Sequence, residues 1–319
     1  MIKIIKAVEP YYYKGQVNFK HKPYDAWKRM GMPVAEPHYP WRPFHRLVFN
    51  CSLPAIRTYK SEARLRFVQP YSLYFDTWPD YMFYEIIPFF WDVWPEYFDM
   101  TCRWLRRYHV RTAIFTSSQM AERIQTQFPE MNVLAVTEGI DVASYSEGKP
   151  LAERAIDFLR YGRGIERIVE YDLSKLRCAG SNNNGKTGFT QEELFDALAG
   201  AKVVAAYPRS WTHPEQAGDI ETLTQRYWEC MLSRCVMIGH APQELINLIG
   251  YNPVIEIDKD NPQQQLEDVL AHNSNYQSLV DRNREAALKY GDWMYSMDRV
   301  VRFLSKIYGY IYIKHQKST

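Results

Sequence analysis

Residues 218–239 of the chain read GDIETLTQRYWECMLSRCVMIG. Glu221 and Glu229 stand eight positions apart in it, and an apolar run, CVMI at 235–238, precedes Gly239. This order predicts an acidic loop, a helix and a buried strand. Ligands of open parallel sheets bind outside the carboxyl ends of the strands. A helix that begins near Glu221 would direct its free N–H groups and positive dipole end at such a ligand, as phosphate sites do.

The spacing of the two glutamates carries a second prediction. Eight residues are slightly more than two turns of an α-helix, so the side chains of Glu221 and Glu229 are expected on nearly the same side. Carboxylates accept hydrogen bonds from vicinal hydroxyls, as on a sugar or a ribose. Two solvated glutamates on an amphipathic helix are the alternative, and only the flanking strand–helix–strand order favours the binding interpretation.

The segment ETLTQRYWE resembles the E-x7-E motif of GT-B glycosyltransferases, particularly the bacterial family-4 and family-1 types. The segments before and after it agree with the resemblance over residues 155–258, and the first half of the chain agrees weakly. The resemblance implies that Glu221 contacts the donor sugar and that Glu229 binds the nucleotide ribose. The chain departs from the family pattern where Thr222 and Thr224 replace the usual glycines, which indicates a divergent branch.

Composition indicates an ordinary globular protein. The chain has 319 residues, 46% hydrophobic and 24% charged, and its formal net charge of +2 gives no global field that would favour nucleic acid. Five cysteines without a CxxC pair argue for a reducing, cytoplasmic compartment. No apolar run is long enough to predict a signal peptide or a transmembrane helix.

Length predicts two domains. The polar stretch SYSEGKP at 144–150 is typical of a linker, so the boundary is placed near residue 148. The resemblance implies an α/β fold in which two Rossmann-like domains face each other across a cleft. The acceptor domain would be 1–148 and the nucleotide-sugar domain 149–319, with a C-terminal helix that crosses back to the first domain.

Apolar runs predict the strands. They are expected at 2–8, 46–50, 64–70, 84–91, 113–116 and 132–137 in the first domain, and at 155–161, 202–208, 235–238 and 253–258 in the second. No glycine-rich turn follows the first strand, so the dinucleotide-binding fingerprint is absent there.

Two candidate catalytic bases lie in the first domain. Asp92 follows the apolar run at 84–91, at the end where a cleft is expected, although a turn or cap role fits it equally well. His109 lies at the end of a predicted helix, residues 99–111, and a structural role is the alternative. That helix is rich in arginine, and the resemblance implies contact with an anionic membrane surface, whereas a solvated helix face is the simpler interpretation.

Positive charge is expected where the donor diphosphate would lie. Arg163 is the first candidate because the resemblance places a strand ending in Gly-Arg there, and Lys186 and Arg209 are alternatives. The N–H groups around Thr222 and Thr224 would share this role without a metal, since no D-x-D follows a strand. Two further residues are expected beside the nucleotide, namely Gly239 and Pro242.

Residues 180–187, GSNNNGKT, match the P-loop pattern. A P-loop needs a buried strand before it and a helix that begins at its lysine. The preceding segment is too polar for that strand, and the next helix is predicted to start at Thr190 with Glu193 as its capping-box partner. A chance match is favoured, and a P-loop NTPase stays as an alternative function.

The sequence therefore predicts a retaining, metal-independent glycosyltransferase of polysaccharide biosynthesis. Its substrates would be a nucleotide-sugar donor and a saccharide or lipid-linked acceptor, with no cofactor and no nucleic-acid partner. The expected location is the cytoplasm, with peripheral contact to the inner membrane as a further hypothesis. A non-catalytic module that binds nucleotide sugars or carbohydrate is the third interpretation.

Overall fold

A computed structural model describes residues 2–10, 19–38, 54–162, 164–180 and 189–309. This part of the chain holds two parallel β-sheets, one of six strands and one of five. The chain divides into two compact units, Met1–Thr137 with Trp293–Thr319, and Glu138–Asp292. Each sheet is built from strands that alternate with helices, so apolar runs rather than alternating patterns mark its buried strands.

The sheet of the first unit has the order β2-β1-β3-β4-β5-β6, with parallel neighbours throughout. Its strands are β1 (Ile4–Val8), β2 (Val34–Ala35), β3 (Glu62–Val68), β4 (Glu85–Phe90), β5 (Thr112–Phe115) and β6 (Asn132–Ala135). Every residue of β4 is buried, as expected of a central strand covered on both faces.

The described helices of the first unit include the last helix of the chain. They are His21–Arg29, Leu73–Asp76, Asp80–Phe83, Pro95–Arg107, Ser118–Gln127 and Trp293–Tyr308. The last of these packs into the core that β1, β3 and β4 also form, through Trp293, Met297, Val300, Val301 and Leu304. These positions follow helical spacing, so one apolar stripe holds the helix in the first unit.

The sheet of the second unit has the order β11-β10-β9-β7-β8, again parallel throughout. Its strands are β7 (Ile156–Arg160), β8 (Cys178–Gly180), β9 (Ala201–Ala206), β10 (Val236–Gly239) and β11 (Ile255–Glu256). The described helices are Gln191–Gly200, Arg209–Thr212, Pro214–Ala217, Gln225–Leu232, Gln243–Ile249, Pro262–Ala271 and Gln277–Tyr290.

The chain enters the second unit earlier than its composition suggests. The carbonyl of Glu138 accepts a hydrogen bond from Trp228 Nε1 at 2.9 Å, and Ile140 N donates to Gly291 O at 2.8 Å. These contacts attach the backbone to the second unit before the polar stretch at 144–150. Residue 148, where the sequence analysis places the boundary, therefore lies inside the second unit.

The predicted strands overlap the observed ones except in three places, the first of which is β2, where no strand was predicted. The run at 46–50 lies outside the described residues. The segment before residue 181, judged too polar for a strand, does contain β8, but β8 is a short edge strand whose Cys178 and Gly180 are exposed. The helix after it begins at Gln191, with the predicted capping box between Thr190 and Glu193. Most of the P-loop match, including Lys186, lies outside the described residues.

Candidate functional site

A pocket of about 400 Å³ opens in the second unit at the carboxyl ends of β7 and β9. Parallel sheets bind their ligands at this edge. Its described lining residues are Glu138, Tyr161, Gly162, Tyr207, Arg209, Thr212, His213, Thr224, Gln225, Arg226 and Glu229.

One end of the Gln225–Leu232 helix forms part of this pocket. Thr224 is its N-cap residue, with φ −82° and ψ 160°, and its side chain makes no capping hydrogen bond. The first turn contains no acidic residue. Thr224, Gln225 and Arg226 all line the pocket. The free N–H groups and positive dipole end of the helix therefore lie at the pocket, where they favour an anionic ligand.

The helix begins four positions later than the expected start near Glu221. Ile220 and Leu223 are buried, and Leu223 N donates a hydrogen bond to the Glu244 carboxylate, so this segment is held as a loop. The spacing between Glu221 and Glu229 is therefore not two helical turns, and the prediction that one helix face carries both carboxylates is wrong.

The two glutamates occupy different surroundings. Glu229 lines the pocket, whereas Glu221 is not among the described lining residues. Glu221 Oε1 lies 3.2 Å from Nε2 of His240, the residue that follows β10. Both side chains lie at the carboxyl edge of the second sheet, but the structure does not bring them to one wall of the pocket.

Two tyrosines hold the carboxylate of Glu229. Tyr145 donates its hydroxyl to Oε1 and Tyr161 donates to Oε2, each at 3.0 Å. Burial raises the pKa of the Glu229 carboxyl, while these hydrogen bonds and the charge of Arg226 oppose that rise. Each oxygen keeps a further lone pair, so the group can accept hydrogen bonds from ligand hydroxyls in a fixed orientation.

Two arginines supply positive charge. Arg226 lies over Gly162, whose φ is +90°, and its guanidinium carbon is 5.3 Å from the centre of the Tyr161 ring. Arg209 Nη2 donates to Gln216 Oε1, which holds that side chain at the pocket. Two guanidinium groups, a helix N-terminus and an anchored carboxylate together fit a ligand with phosphate at one end and vicinal hydroxyls at the other.

Sequence reasoning missed Tyr145, Tyr161 and Arg226. Arg226 carried no signal at the predicted helix start, because a helix that began near Glu221 would place it in the second turn, and only the observed start at Gln225 puts this cation in the first turn. The two tyrosines carried no signal either, since Tyr145 lies in the predicted linker and Tyr161 lies in the predicted strand before Gly162.

Of the other residues that were predicted to bind the donor, some line the pocket and others do not. Arg209 and Thr224 line the pocket, Arg163 lies outside the described residues, and Thr222 and Pro242 are not among the described lining residues. Gly239 ends β10 with φ +152°, and a Cβ there would lie 1.9 Å from Ala206 O. The structure therefore gives Gly239 a packing role, since only glycine permits this approach of β10 to β9.

Asp92 and His109 lie in the first unit, at opposite edges of its sheet. Asp92 follows the carboxyl end of β4, whereas His109 precedes the amino end of β5, the parallel neighbour of β4. Only Asp92 therefore lies at the ligand-binding edge of this sheet. Both residues adopt the left-handed backbone region, with φ 51° and 45°.

The described residues contain no group of three or more His, Cys, Asp or Glu side chains arranged to hold a metal ion. Within the same residues, no helix combines the length and the apolar character that crossing a bilayer requires.

Comparison with known proteins gives structural matches alone. No protein-family model and no curated protein sequence matches the chain. HepE from Anabaena, solved in complex with UDP, matches with a TM-score of 0.59 at 11% identity, over 95% of this chain and 100% of that one. AviGT4, a glycosyltransferase involved in avilamycin A biosynthesis, matches with a TM-score of 0.53 at 12% identity, over 97% and 99%.

A third match is sucrose-phosphate synthase from Thermosynechococcus elongatus, with a TM-score of 0.54 at 10% identity, over 93% of this chain and 81% of that one. These neighbours have the GT-B fold, and the two parallel α/β units of the chain share it. The predicted fold class, an α/β protein of the GT-B type, is therefore confirmed.

Proposed function

We propose that the protein is a glycosyltransferase that transfers a sugar from a nucleotide-sugar donor to a saccharide or lipid-linked acceptor. One observation carries the proposal: Arg209, Arg226 and the N-terminus of the Gln225–Leu232 helix meet at one pocket with Glu229. The pocket lies at the sheet edge that binds ligands in parallel α/β folds. HepE, a structural neighbour, was solved with UDP and with UDP-glucose, which supports a donor of this class.

The donor diphosphate is proposed to lie between the two guanidinium groups and the first turn of the helix. As the bond from the anomeric carbon to the diphosphate oxygen breaks, its electron pair leaves with the nucleotide. Arg226 and Arg209 stabilise that charge, together with the N–H groups of the helix start, and no metal is required. Arg163 is retained as a third proposed cation from the sequence.

Glu229 is proposed to bind the ribose hydroxyls, and Glu221 to contact the donor sugar. Tyr145 and Tyr161 orient Glu229 before the ligand arrives, which reduces the ordering cost of binding. On the acceptor side, Asp92 is proposed to take the proton of the attacking hydroxyl as the hydroxyl oxygen forms the new bond to the anomeric carbon, on the face that the diphosphate leaves. The proposal includes retention of configuration and a role in polysaccharide biosynthesis, both of which come from the family resemblance.

The proposal extends to the surface on which an acceptor lipid would lie. The helix Pro95–Arg107 exposes Arg103, Arg106 and Arg107 on one side. Exposed cations bind anionic headgroups at about 1 kcal/mol per residue near the surface. Flotation with phosphatidylserine vesicles tests this proposed membrane contact, and equal recovery of the protein with neutral vesicles would contradict it.

Release of UDP from UDP-glucose tests the proposed activity. The purified protein is assayed with EDTA present, first alone and then with saccharide and lipid-linked acceptors. Arg226→Ala should lower the rate by about tenfold or more, the effect of one lost charge-assisted contact. Arg302, an exposed arginine of the first unit paired with Asp298, gives the matched control Arg302→Ala. Binding without release, across the donors tried, would indicate a non-catalytic module instead.

A further inference from the structure

His240 connects two carboxylates at the same edge of the second sheet. Its Nε2 lies 3.2 Å from Glu221 Oε1, and its Nδ1 lies 2.7 Å from Glu256 Oε1. The side chains of His240 and Glu221 are 26% and 21% exposed, whereas that of Glu256 is 51% exposed. The imidazole therefore joins an outer carboxylate to a more buried one, which is the carboxylate proposed to contact the donor sugar.

Other contacts fix the imidazole in place. The indole of Trp211 stacks on it, with ring centres 4.6 Å apart and planes 11° apart. Lys259 Nζ lies 3.9 Å from the centre of the same indole, so an ammonium contacts the ring that stacks on the imidazole. The backbone of His240 is also held, because Tyr227 donates its hydroxyl to His240 O at 2.6 Å.

The two contacts of the imidazole determine how many N–H groups it must carry to donate to both carboxylates. A neutral imidazole carries one N–H and donates to one carboxylate only. Here a carboxylate oxygen faces each ring nitrogen, so both contacts are hydrogen bonds when His240 is an imidazolium. The ring contacts two charged groups, Glu221 and Glu256, and Lys259 contacts Trp211, which stacks on the ring.

Glu221 needs such support because of its position in the chain. It lies in the loop before the helix, so helical hydrogen bonds do not fix its backbone. A carboxylate that recognises a sugar must keep its orientation, and a bonded partner usually supplies this when the backbone does not. His240 contacts one oxygen of Glu221, and a carboxylate can accept several hydrogen bonds at once, so hydroxyls of a ligand can be accepted in addition.

We propose that His240 is a positioning residue that holds the Glu221 carboxylate in the orientation used by the donor sugar, and that Glu256 orients His240 in turn. The inference rests on the proposed function, because it assigns Glu221 to the sugar. It goes beyond that function because it assigns a role to His240 and Glu256, which are not among the described lining residues of the pocket. Since only the sugar of the donor is proposed to contact Glu221, the affinity for the nucleotide should not depend on His240.

Calorimetry with two probes, UDP and UDP-glucose, tests the proposal on the full chain. In His240→Ala, affinity for UDP should stay within about twofold of the natural protein, whereas the preference for UDP-glucose over UDP should fall by about tenfold. In His240→Gln the amide can still donate to Glu221, so part of the preference should return. The matched control is His272→Ala, because His272 is exposed and its Nδ1 lies 2.9 Å from Asp268 O on its own helix.

Partial recovery of the preference in His240→Gln is the readout that a purely structural role would not produce. Equal losses for UDP and UDP-glucose in His240→Ala would overturn the proposal, as would an unchanged preference. Failure of the natural protein to bind either probe would instead contradict the proposed function itself, so the two failures are distinguishable.

Discussion

The guanidinium of Arg226 occupies the space that a side chain on residue 162 would fill. A Cβ built on Gly162 would lie 1.5 Å from Arg226 Nη2 and 2.4 Å from its guanidinium carbon. The glycine thus permits an arginine at the first turn of the Gln225–Leu232 helix to lie on the pocket wall. If Arg226 holds a diphosphate, the identity of residue 162 controls ligand affinity through the position of the Arg226 side chain.

Gly162→Ala should therefore displace Arg226 and weaken UDP binding by about tenfold. Its backbone φ of +90° adds a stability cost of about 1 kcal/mol. Gly250→Ala is the matched control, since Gly250 has φ +82° and no atom within 4 Å of an added Cβ. Calorimetry and urea unfolding should show similar stability losses but weakened binding in Gly162→Ala alone. Equal UDP affinity in both variants would sink the assignment of Arg226.

The raised pKa of the Glu229 carboxyl predicts that UDP affinity falls at acid pH. Burial raises the pKa of its carboxyl above the ordinary 4.5, so it takes up a proton at a higher pH than a solvated glutamate does. Because the protonated group is a poorer acceptor for ribose hydroxyls, UDP affinity should fall as pH is lowered through the raised pKa. The affinity of Glu229→Gln should be lower at neutral pH and flat over this range. The same loss of UDP affinity at acid pH in Glu229→Gln would show that a group other than Glu229 causes the loss.

The same pKa shift has a consequence for stability, with the opposite dependence on pH. A carboxyl whose pKa is raised by folding stabilises the folded state below its ordinary pKa, and this contribution is lost as pH rises through the raised pKa. The melting temperature of the natural protein, relative to that of Glu229→Gln, should therefore decline over that interval. Thermal unfolding at a series of pH values measures the difference, and a rise would contradict the assigned direction.

Asp157 behaves in the reverse sense. Burial alone would raise the pKa of its carboxyl, but hydrogen bonds from Arg177 and Lys202 hold the pKa well below the ordinary 3.8. The resulting stability is present above the ordinary pKa and is lost as pH falls through the lowered one. Asp157→Asn should cost about 1–2 kcal/mol in urea unfolding near pH 7, and less at acid pH. Asp172→Asn, at an exposed turn, should change stability less, and a pH-independent cost of Asp157→Asn would refute the argument.

Asp92 and His109 offer a matched test of the acceptor base. Both residues have positive φ, and asparagine tolerates that region, so Asp92→Asn and His109→Asn should both fold. Asp92→Asn should lower the rate of sugar transfer by about 10²–10⁴ with little change in UDP affinity. His109→Asn should leave both unchanged, because His109 lies at the amino edge of the sheet. Similar transfer rates in the two variants would exclude Asp92 as the base.

The sequence predicted most of the framework because buried parallel strands produce continuous apolar runs. The run at 84–91 indicated β4, and CVMI at 235–238 indicated β10. The prediction failed at β2 and β8, which are short edge strands with exposed residues and leave no apolar signal. Edge strands lack one neighbour, so burial constrains their composition less.

The site was less predictable than the framework, for a physical reason. The motif spacing suggested that Glu221 and Glu229 share a helix, but spacing does not reveal that buried Ile220 and Leu223 hold the intervening segment as a loop. The partners of Glu229 come from residues 145 and 161, which are distant in sequence from the motif. Contacts of that kind depend on tertiary structure, and no local pattern encodes them.

The proposed function depends on binding of a nucleotide diphosphate by Arg226 and Arg209 in the pocket at the start of the Gln225–Leu232 helix. Calorimetric titration of UDP, with EDTA present, into the natural protein, the double variant Arg209→Ala/Arg226→Ala and the control Arg302→Ala tests this binding. We expect one saturable site whose affinity the control keeps and the double variant lowers by about 100-fold or more. UDP binding of equal strength in all three proteins would contradict it.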